Sequence, residues 1–295
     1  MFYAQEQFVL INKYINNSLN QKKGFTLVEL LVVIVMFGIL STAGYSLFKE
    51  QSRINQTQQN ILEMQSSARA AMQVLIQSFS HAGFGCSTNT SEYFSFSNNG
   101  FDTGDSDNAT VTYGYKHVGT VDSNQNSTKT ITLYSGNTIT NNAYDINFFP
   151  STAPNTAYTI NSLGTDSVTV TEEIDFVPEG AKIFRIYPVE YKIQDNQLVQ
   201  QDSTGAATIA FDVVNFQMAY STSNTDVWYE TGNFDEAKAV WIYLLMRTRE
   251  REPGFKETRV FSLPWKASEK FPNSKIEAGY HYQEFQTKVW LRNAK

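Results

Sequence analysis

The chain has 295 residues, of which 41% are hydrophobic and 14% aromatic, and its formal net charge is −6. This apolar content is enough for a sizeable buried core, which excludes a chain that is disordered throughout. The acidic balance argues against a nucleic-acid-binding surface spread over the whole protein, although it is compatible with a local basic patch.

An apolar run begins at Phe25 and ends at Phe48, and Glu29 is its only charged residue. As a helix, these 24 residues would span about 36 Å, enough to cross a hydrocarbon core of about 30 Å. Lys22 and Lys23 precede the run, and the positive-inside rule places that end in the cytoplasm. No small-residue cleavage site follows the run, so the run by itself predicts an uncleaved single-pass membrane anchor.

Glu29 is the unusual residue of this anchor, because a carboxylate inside hydrocarbon carries a high free-energy cost. It is therefore a candidate functional residue whose partner has to be found. The alternative is that Glu29 is protonated, or that it reaches towards the headgroups from its position near the cytoplasmic end of the run.

The stretch KKGFTLVELLVVI, residues 22–34, resembles the type III signal of type IV pilins and type II secretion pseudopilins. In that signal, basic residues and a glycine precede a hydrophobic helix that carries a glutamate five places after the glycine. The resemblance implies that a prepilin peptidase cleaves between Gly24 and Phe25 and that the new amino group of Phe25 is methylated. It also implies that Glu29 pairs with the amino terminus of a neighbouring subunit. Residues 1–24 are then a leader peptide.

The helix is predicted to continue to Ser80, because residues 49–80 contain neither proline nor glycine. Gly83 and Gly85 follow, and either is suited to the left-handed conformation that ends a helix. We therefore divide the helix into a transmembrane half, residues 25–48, and an amphipathic half, residues 49–80, whose apolar stripe packs on the chain's own sheet. The stripe consists of Ile54, Ile61, Leu62, Ala68, Met72, Leu75, Ile76 and Phe79.

A polar stretch rich in serine, asparagine, aspartate and glycine extends to about residue 108 and predicts a surface loop. Asp102, Asp105 and Asp107 lie close together within it. Turn and capping roles explain these carboxylates better than a calcium loop, because the EF-hand spacing and its glutamate are missing. Calcium stays open as the alternative, because some pseudopilins bind it.

From Ala109 onward, apolar and polar residues alternate in a pattern typical of antiparallel strands. The predicted strands are ATVTYGY, KTITLYS, AYDINFF, DSVTVTEEI, KIFRIYPVEYKI, QLVQQ, IAFDVVNFQMAY, AVWIYLLMRTR, TRVFSLPW and HYQEFQTKVWL. The segment AVWIYLLMRTR fits a helix or a strand by periodicity, and its aromatic and β-branched residues favour a strand. The predicted fold class is α+β and pilin-like: a long N-terminal membrane-spanning helix packed on an antiparallel β-sheet domain that comprises residues 81–295.

Four later segments carry a second resemblance. VPEGAKIFRIYPVEYKIQDNQLVQQ, VVNFQMAYSTSNTDVWYE, AVWIYLLMRTRE and FQTKVWLRN are similar, in this order, to segments of the PilW-type minor pilins. The J-type pseudopilins of type II secretion share the general layout, and we favour the PilW type. Residues 90–175 are similar to those proteins only in their general sequence character.

No catalytic signature is present in the sequence. His81, His117 and His281 are isolated, and Cys86 lies five residues after His81, whereas facing residues on a helix are three or four apart. There is no P-loop, nucleophile elbow, dinucleotide-binding fingerprint or C-x-x-C pair. We therefore predict a protein that is not an enzyme, with no cofactor and no catalytic or metal-binding residues.

The single cysteine and the four tryptophans are both interpreted as structural residues. The single cysteine, Cys86, has no partner for an intrachain disulfide, and we favour a buried thiol over a reactive thiol or an intermolecular bridge. For the tryptophans, core and strand-pair roles are more common than a carbohydrate or stacking surface. The four tryptophans are Trp228, Trp241, Trp265 and Trp290.

Taken together, these patterns predict a minor pilin of the type IV pilus. It would be anchored in the inner membrane by one helix, with its C-terminal domain in the periplasm, and would enter the pilus on assembly. The implied partners are the prepilin peptidase/methyltransferase, other minor pilins and the major pilin, with which it would initiate assembly and stand at the tip. The alternatives are a J-type minor pseudopilin of a type II secretion system and a tip module for DNA uptake or adhesion.

Overall fold

The computed structural model describes residues 25–84, 93–139, 145–149, 158–202, 205–223, 226–232 and 234–292. The leader peptide, Gly24 and Cys86 lie outside the described residues. By their contacts the residues divide into two compact units, Met1–Thr57 and Gln58–Lys295, and the N-terminal helix contributes to both.

The helix, α1, runs from Leu27 to Ser80, which confirms the predicted single long helix. Its buried residues recur three or four positions apart and therefore lie on one face. They are Met64, Ala68, Ala71, Met72, Leu75, Ser78 and Phe79. The predicted stripe is wrong at Ile54, Leu62 and Ile76, which are 41%, 63% and 39% exposed. The buried face uses small residues such as Ala71 and Ser78 instead, because a small side chain lets a helix lie close to a sheet.

The end of α1 depends on Gly83, whose φ of +77° is in the left-handed region. A Cβ atom at this position would lie 2.7 Å from the ring of Tyr93, so a larger residue would also collide with the core. The Gly83 N–H donates to the Thr112 carbonyl at 3.0 Å, and the Gly114 N–H donates to the Phe84 carbonyl at 2.7 Å. These bonds join the turn after the helix to the sheet.

Fourteen strands are found in the described part of the chain. They are β1 (Phe94–Ser97), β2 (Asn108–Thr120), β3 (Gln125–Thr132), β4 (Asp145–Phe149), β5 (Tyr158–Leu163), β6 (Ser167–Val177), β7 (Lys182–Gln194), β8 (Gln197–Asp202), β9 (Gly205–Phe211), β10 (Val213–Ser221), β11 (Ala239–Arg247), β12 (Ser262–Leu263), β13 (Lys266–Lys270) and β14 (Tyr282–Trp290). Short 3-10 helices are formed by Phe101–Thr103, Phe234–Glu236 and Asn273–Lys275.

All strand pairs described are antiparallel. The largest sheet has the order β1-β2-β7-β4-β5-β6-β3, and β8 and β9 extend it from β7. A three-stranded sheet has the order β10-β11-β14, and β12 and β13 form a hairpin. With α1, these sheets confirm the predicted α+β architecture of one long helix and an antiparallel sheet domain.

The core of residues 58–295 lies between the buried face of α1 and the two larger sheets, and it includes Leu75, Phe79 and Tyr191. A second cluster lies on the opposite face of the three-stranded sheet and includes Phe101 and Tyr243. The central strand β11 contributes to both clusters and is therefore buried on both faces. This burial explains why its sequence is continuously apolar, and it confirms the strand prediction for AVWIYLLMRTR.

Three other predictions need correction. The segment IAFDVVNFQMAY is two strands, β9 and β10, which belong to different sheets and are separated by Asp212. The segment TRVFSLPW contains only the two-residue strand β12. The polar stretch before residue 108 is not all surface loop, because it includes β1 and because Phe101 and Asp107 within it are fully buried.

Candidate assembly site at the N terminus of the helix

The first turn of α1 brings Thr26 and Glu29 together. The Thr26 backbone N–H donates to Glu29 Oε2 at 3.1 Å, and the Thr26 hydroxyl donates to the same oxygen at 3.3 Å. The Glu29 N–H in turn lies 3.2 Å from Thr26 Oγ1. These reciprocal bonds form a capping box, in which each side chain satisfies a backbone N–H group at the start of the helix.

The capping box is a role for Glu29 that the sequence analysis did not consider. The signal was present, because Thr26-Leu27-Val28-Glu29 is the S/T-x-x-E pattern directly before an apolar run. A carboxylate in the first turn is also favoured by the partial positive charge of the helix N terminus. The residue that sequence reasoning missed at this site is therefore Thr26.

Glu29 keeps hydrogen-bonding capacity beyond the capping box. Both Thr26 bonds go to Oε2, and no bond to Oε1 is present among the described residues. An ionised carboxylate accepts several hydrogen bonds through its two oxygens. Oε1 is therefore available to a cationic partner without loss of the helix cap.

The apolar side chains on both sides of Glu29 are exposed along the helix in this single chain. Phe25 is 81% exposed, and exposure stays high through Leu30 at 57% and Phe48 at 73%. Within the part of the chain that the structure describes, α1 is the one helix long and apolar enough to cross a membrane. The predicted site residues Phe25 and Glu29 thus lie at its start, and Gly24 falls just outside the described residues.

Two hydroxyl groups inside the apolar segment, those of Thr42 and Ser46, are bonded within the helix. The Thr42 hydroxyl donates to the Gly38 carbonyl at 2.8 Å, and the Ser46 hydroxyl donates to the Ala43 carbonyl at 2.8 Å. Such bonds to the preceding turn remove the need for a partner in lipid. Glu29 is the one charged residue of this segment, and a cationic partner on another molecule would offset the cost of its charge in lipid.

One carboxylate of the aspartate-rich stretch, that of Asp107, is buried and hydrogen-bonded within residues 58–295. Asp107 is fully buried; Oδ1 accepts the Asn99 N–H at 3.0 Å and Oδ2 accepts the Met218 N–H at 2.8 Å. Burial raises the pKa of Asp107 to about 7, against the opposing effect of these two N–H donors. The carboxyl thus ties the loop to β10. No group of three His, Cys, Asp or Glu side chains that could hold a metal ion was found among the described residues.

Each histidine has a local partner. His81 Nδ1 lies 2.7 Å from the Gln77 carbonyl, and His117 Nε2 lies 3.3 Å from the Thr120 hydroxyl. His281 Nε2 lies 2.7 Å from a Glu252 carboxylate oxygen. These contacts lie at the end of α1, at the end of β2 and before β14.

The tryptophans form a packed group on residues 58–295. The ring centroids of Trp228 and Trp241 are 5.0 Å apart, and those of Trp241 and Trp265 are 5.5 Å apart. Lys288 lies over the Trp241 ring with its Nζ atom 4.2 Å from the centroid. Trp290 differs from them, because it is 54% exposed. Trp290 lies opposite Ala239 in the β11–β14 strand pair, so the predicted packing and strand-pair roles describe all four.

Comparison with known proteins bears on the N-terminal segment above all. Residues 19–45 match the prokaryotic N-terminal methylation motif. The sequence had no significant match among curated proteins. The solved structure of a type IV-like pilin from Thermus thermophilus is similar with a TM-score of 0.40 and 12% sequence identity, over 78% of this chain and 97% of that chain. A similarity of that size carries no functional argument, so function has to be inferred from the motif and from the geometry of the helix. The motif is of the prepilin type, which supports a pilin or pseudopilin role and a membrane-anchored, structural protein.

Proposed function

We propose that this protein is a minor pilin of the type IV pilus, of the PilW type, that helps to initiate pilus assembly. The observation that carries the proposal is the prepilin methylation motif at residues 19–45, which continues directly into the exposed apolar start of α1. The motif is a signal for processing and assembly. It therefore supports a role in a filament system of the cell envelope.

The proposed path begins in the inner membrane. The helical residues Leu27–Phe48 have a length of about 33 Å, which crosses the bilayer once. Lys22 and Lys23 keep the leader in the cytoplasm, so the sheet domain lies in the periplasm. The prepilin peptidase/methyltransferase then cleaves between Gly24 and Phe25 and methylates the amino group of Phe25.

Assembly then uses the exposed apolar residues of α1 and the Glu29 carboxylate. The apolar side chains pack against the helices of other minor pilins and of the major pilin. The amino group that cleavage creates on a neighbouring subunit binds Glu29, whose Oε1 is left available by the capping box. Because desolvation offsets much of the attraction between buried charges, this pair mainly sets the register between subunits. The sheet domain supplies lateral contacts, and we place the complex at the pilus tip.

Mass spectrometry of the protein purified from membranes tests the processing step. We expect a mature chain that begins at Phe25 and carries one methyl group on its amino nitrogen. The matched control is the same protein from a host that lacks the prepilin peptidase, which should retain residues 1–24. A membrane-bound chain with an intact leader in the wild-type host would contradict the proposal.

A J-type pseudopilin of a type II secretion system is the second candidate, because the same N-terminal motif serves both systems. Deletion of the gene separates the two candidates. Loss of surface pili with normal protein secretion supports the minor pilin. Loss of secretion with normal pili supports the pseudopilin.

A further inference from the structure

A cleft of about 660 Å³ lies in residues 58–295, between the last turns of α1 and the sheet. Gln77 on α1 lines it, together with His81 and Phe84 in the turn that follows the helix. Phe184 on β7 and Gln200 on β8 line it from the sheet. Clefts of 300–1,000 Å³ that combine aromatic walls with a few polar groups are the usual form of a ligand site.

Two of the residues that line the cleft, Ser78 and Tyr113, belong to a hydrogen-bond chain. The Tyr191 hydroxyl donates to Ser78 Oγ at 2.6 Å, and Ser78 Oγ lies 3.3 Å from the Tyr113 hydroxyl. The rings of Phe84 and Phe184 meet edge to face, with centroids 5.5 Å apart. Because these groups are held by packing and by hydrogen bonds, the cleft is a formed feature of the domain that a ligand need not open.

The chemistry of the described walls favours an uncharged ligand. None of the described residues that line the cleft is a carboxylate, a lysine or an arginine. The side-chain amides of Gln77 and Gln200 each provide two N–H donors and one carbonyl acceptor. The His81 ring faces the Gln77 carbonyl through Nδ1, so in the neutral ring Nδ1 donates and Nε2 is an acceptor towards the ligand.

Aromatic rings and side-chain amides suit a ligand that has both a flat apolar face and several hydroxyl or acetamido groups. We propose that this cleft binds a neutral saccharide, with one sugar face against Phe84, Tyr113 and Phe184. The sugar's hydroxyl or acetamido groups are then bound by Gln77, Gln200 and His81. This site is independent of the N-terminal assembly site, and its ligand would be a glycan that the sheet domain meets outside the cytoplasm.

The test is a titration of the full-length protein in lipid nanodiscs with two uncharged disaccharides, N,N′-diacetylchitobiose and cellobiose, followed by calorimetry and saturation-transfer NMR. We expect at least one of them to bind, with affinity reduced about tenfold or more in Gln77→Ala and in Gln200→Ala, because each substitution removes hydrogen bonds to the ligand. Gln73→Ala is the matched control, since Gln73 is exposed on the same helix and does not line the cleft. Its affinity should equal that of the wild type.

Three results would overturn the proposal. The first is no binding of either disaccharide at roughly 10 mM. The second is binding that neither Gln77→Ala nor Gln200→Ala weakens, which would place the sugar elsewhere. The third is that a capped neutral peptide, acetyl-Gly-Phe-Gly-amide, binds in a Gln77-dependent manner while the sugars do not, which would assign the cleft to a polypeptide segment of a partner.

Discussion

The hydroxyl of Tyr191 on β7 donates a 2.6 Å hydrogen bond to Ser78 on α1, in a buried position that joins the helix to the sheet. The two residues are far apart in sequence, and both are polar groups inside an apolar core. A buried hydroxyl needs a partner, so the position of each restricts the other. The bond therefore fixes how the last turns of α1 lie on the sheet.

Tyr191→Phe should lower the free energy of unfolding by roughly 1–2 kcal/mol, because the Ser78 hydroxyl loses its donor inside the core. The Tyr113 hydroxyl remains 3.3 Å from Ser78, which keeps the effect at the lower end of that range. Thermal unfolding followed by circular dichroism measures the loss. Tyr229→Phe is the control, since that residue is 43% exposed, and it should unfold at the wild-type temperature. Equal midpoints for the two variants would show that the buried bond adds nothing to stability.

The pH dependence of stability should carry a contribution from Asp107. Its pKa is about 7 in the native state and 3.8 as the unperturbed value, so between these values the native protein holds a proton that the unfolded chain has lost. The contribution of Asp107 to the free energy of unfolding is therefore greatest below about pH 4. It decreases as the pH rises towards 7 and is constant above pH 7. The total change is on the order of a few kcal/mol.

Asp107→Asn removes this titration and tests it. At pH 5 the variant should be less stable than the wild type, since an amide N–H₂ replaces one acceptor of the Asn99 and Met218 N–H groups. The difference between the two proteins should be larger at pH 5 than at pH 8. Denaturant unfolding at both pH values gives the comparison. An equal difference at the two pH values would mean that the buried carboxyl is already ionised at pH 5.

The two roles of Glu29, helix cap and charged partner, can be separated by substitution. Glu29→Gln keeps a side-chain acceptor for the Thr26 N–H but removes the charge. Thr26→Ala keeps the charge but breaks the capping box, which costs about 1 kcal/mol of helix stability. If Glu29 acts through a neighbour's amino terminus, Glu29→Gln should insert in the membrane and fail to assemble, as Glu29→Ala should, whereas Thr26→Ala should assemble. Filament counts by electron microscopy and membrane fractionation are the measurements. Wild-type filament numbers in Glu29→Gln would assign Glu29 to the cap alone.

Asp212 should tolerate only a few residue types, because it holds a φ of +60° between β9 and β10. Asparagine adopts this left-handed conformation readily and valine does not. We expect Asp212→Asn to be close to neutral and Asp212→Val to lower stability by roughly 1–2 kcal/mol. Urea unfolding of the two variants checks this. A valine variant as stable as the asparagine variant would show that the break between the strands relaxes without strain.

Sequence by itself determined the features that depend on local pattern. The long α1, most of the strands and the N-terminal methylation motif at residues 19–45 were readable from periodicity and residue order. The capping box was also readable from Thr26 and Glu29, since its partners are three residues apart. These features are set by neighbours in the chain, so a window of a few residues contains their physical cause.

Tertiary structure decided the features whose partners are far apart in sequence. The burial of Phe101 and Asp107 in a polar stretch follows from contacts with β11 and β10, which lie more than a hundred residues away. The division of IAFDVVNFQMAY at Asp212 follows from the two strands joining different sheets. Ala71 and Ser78 are buried on α1, whereas the larger Leu62 and Ile76 are exposed. This follows from how closely the sheet approaches α1. Hydrophobicity indicates that a residue prefers burial, but only the position of the surface opposite determines whether it is buried.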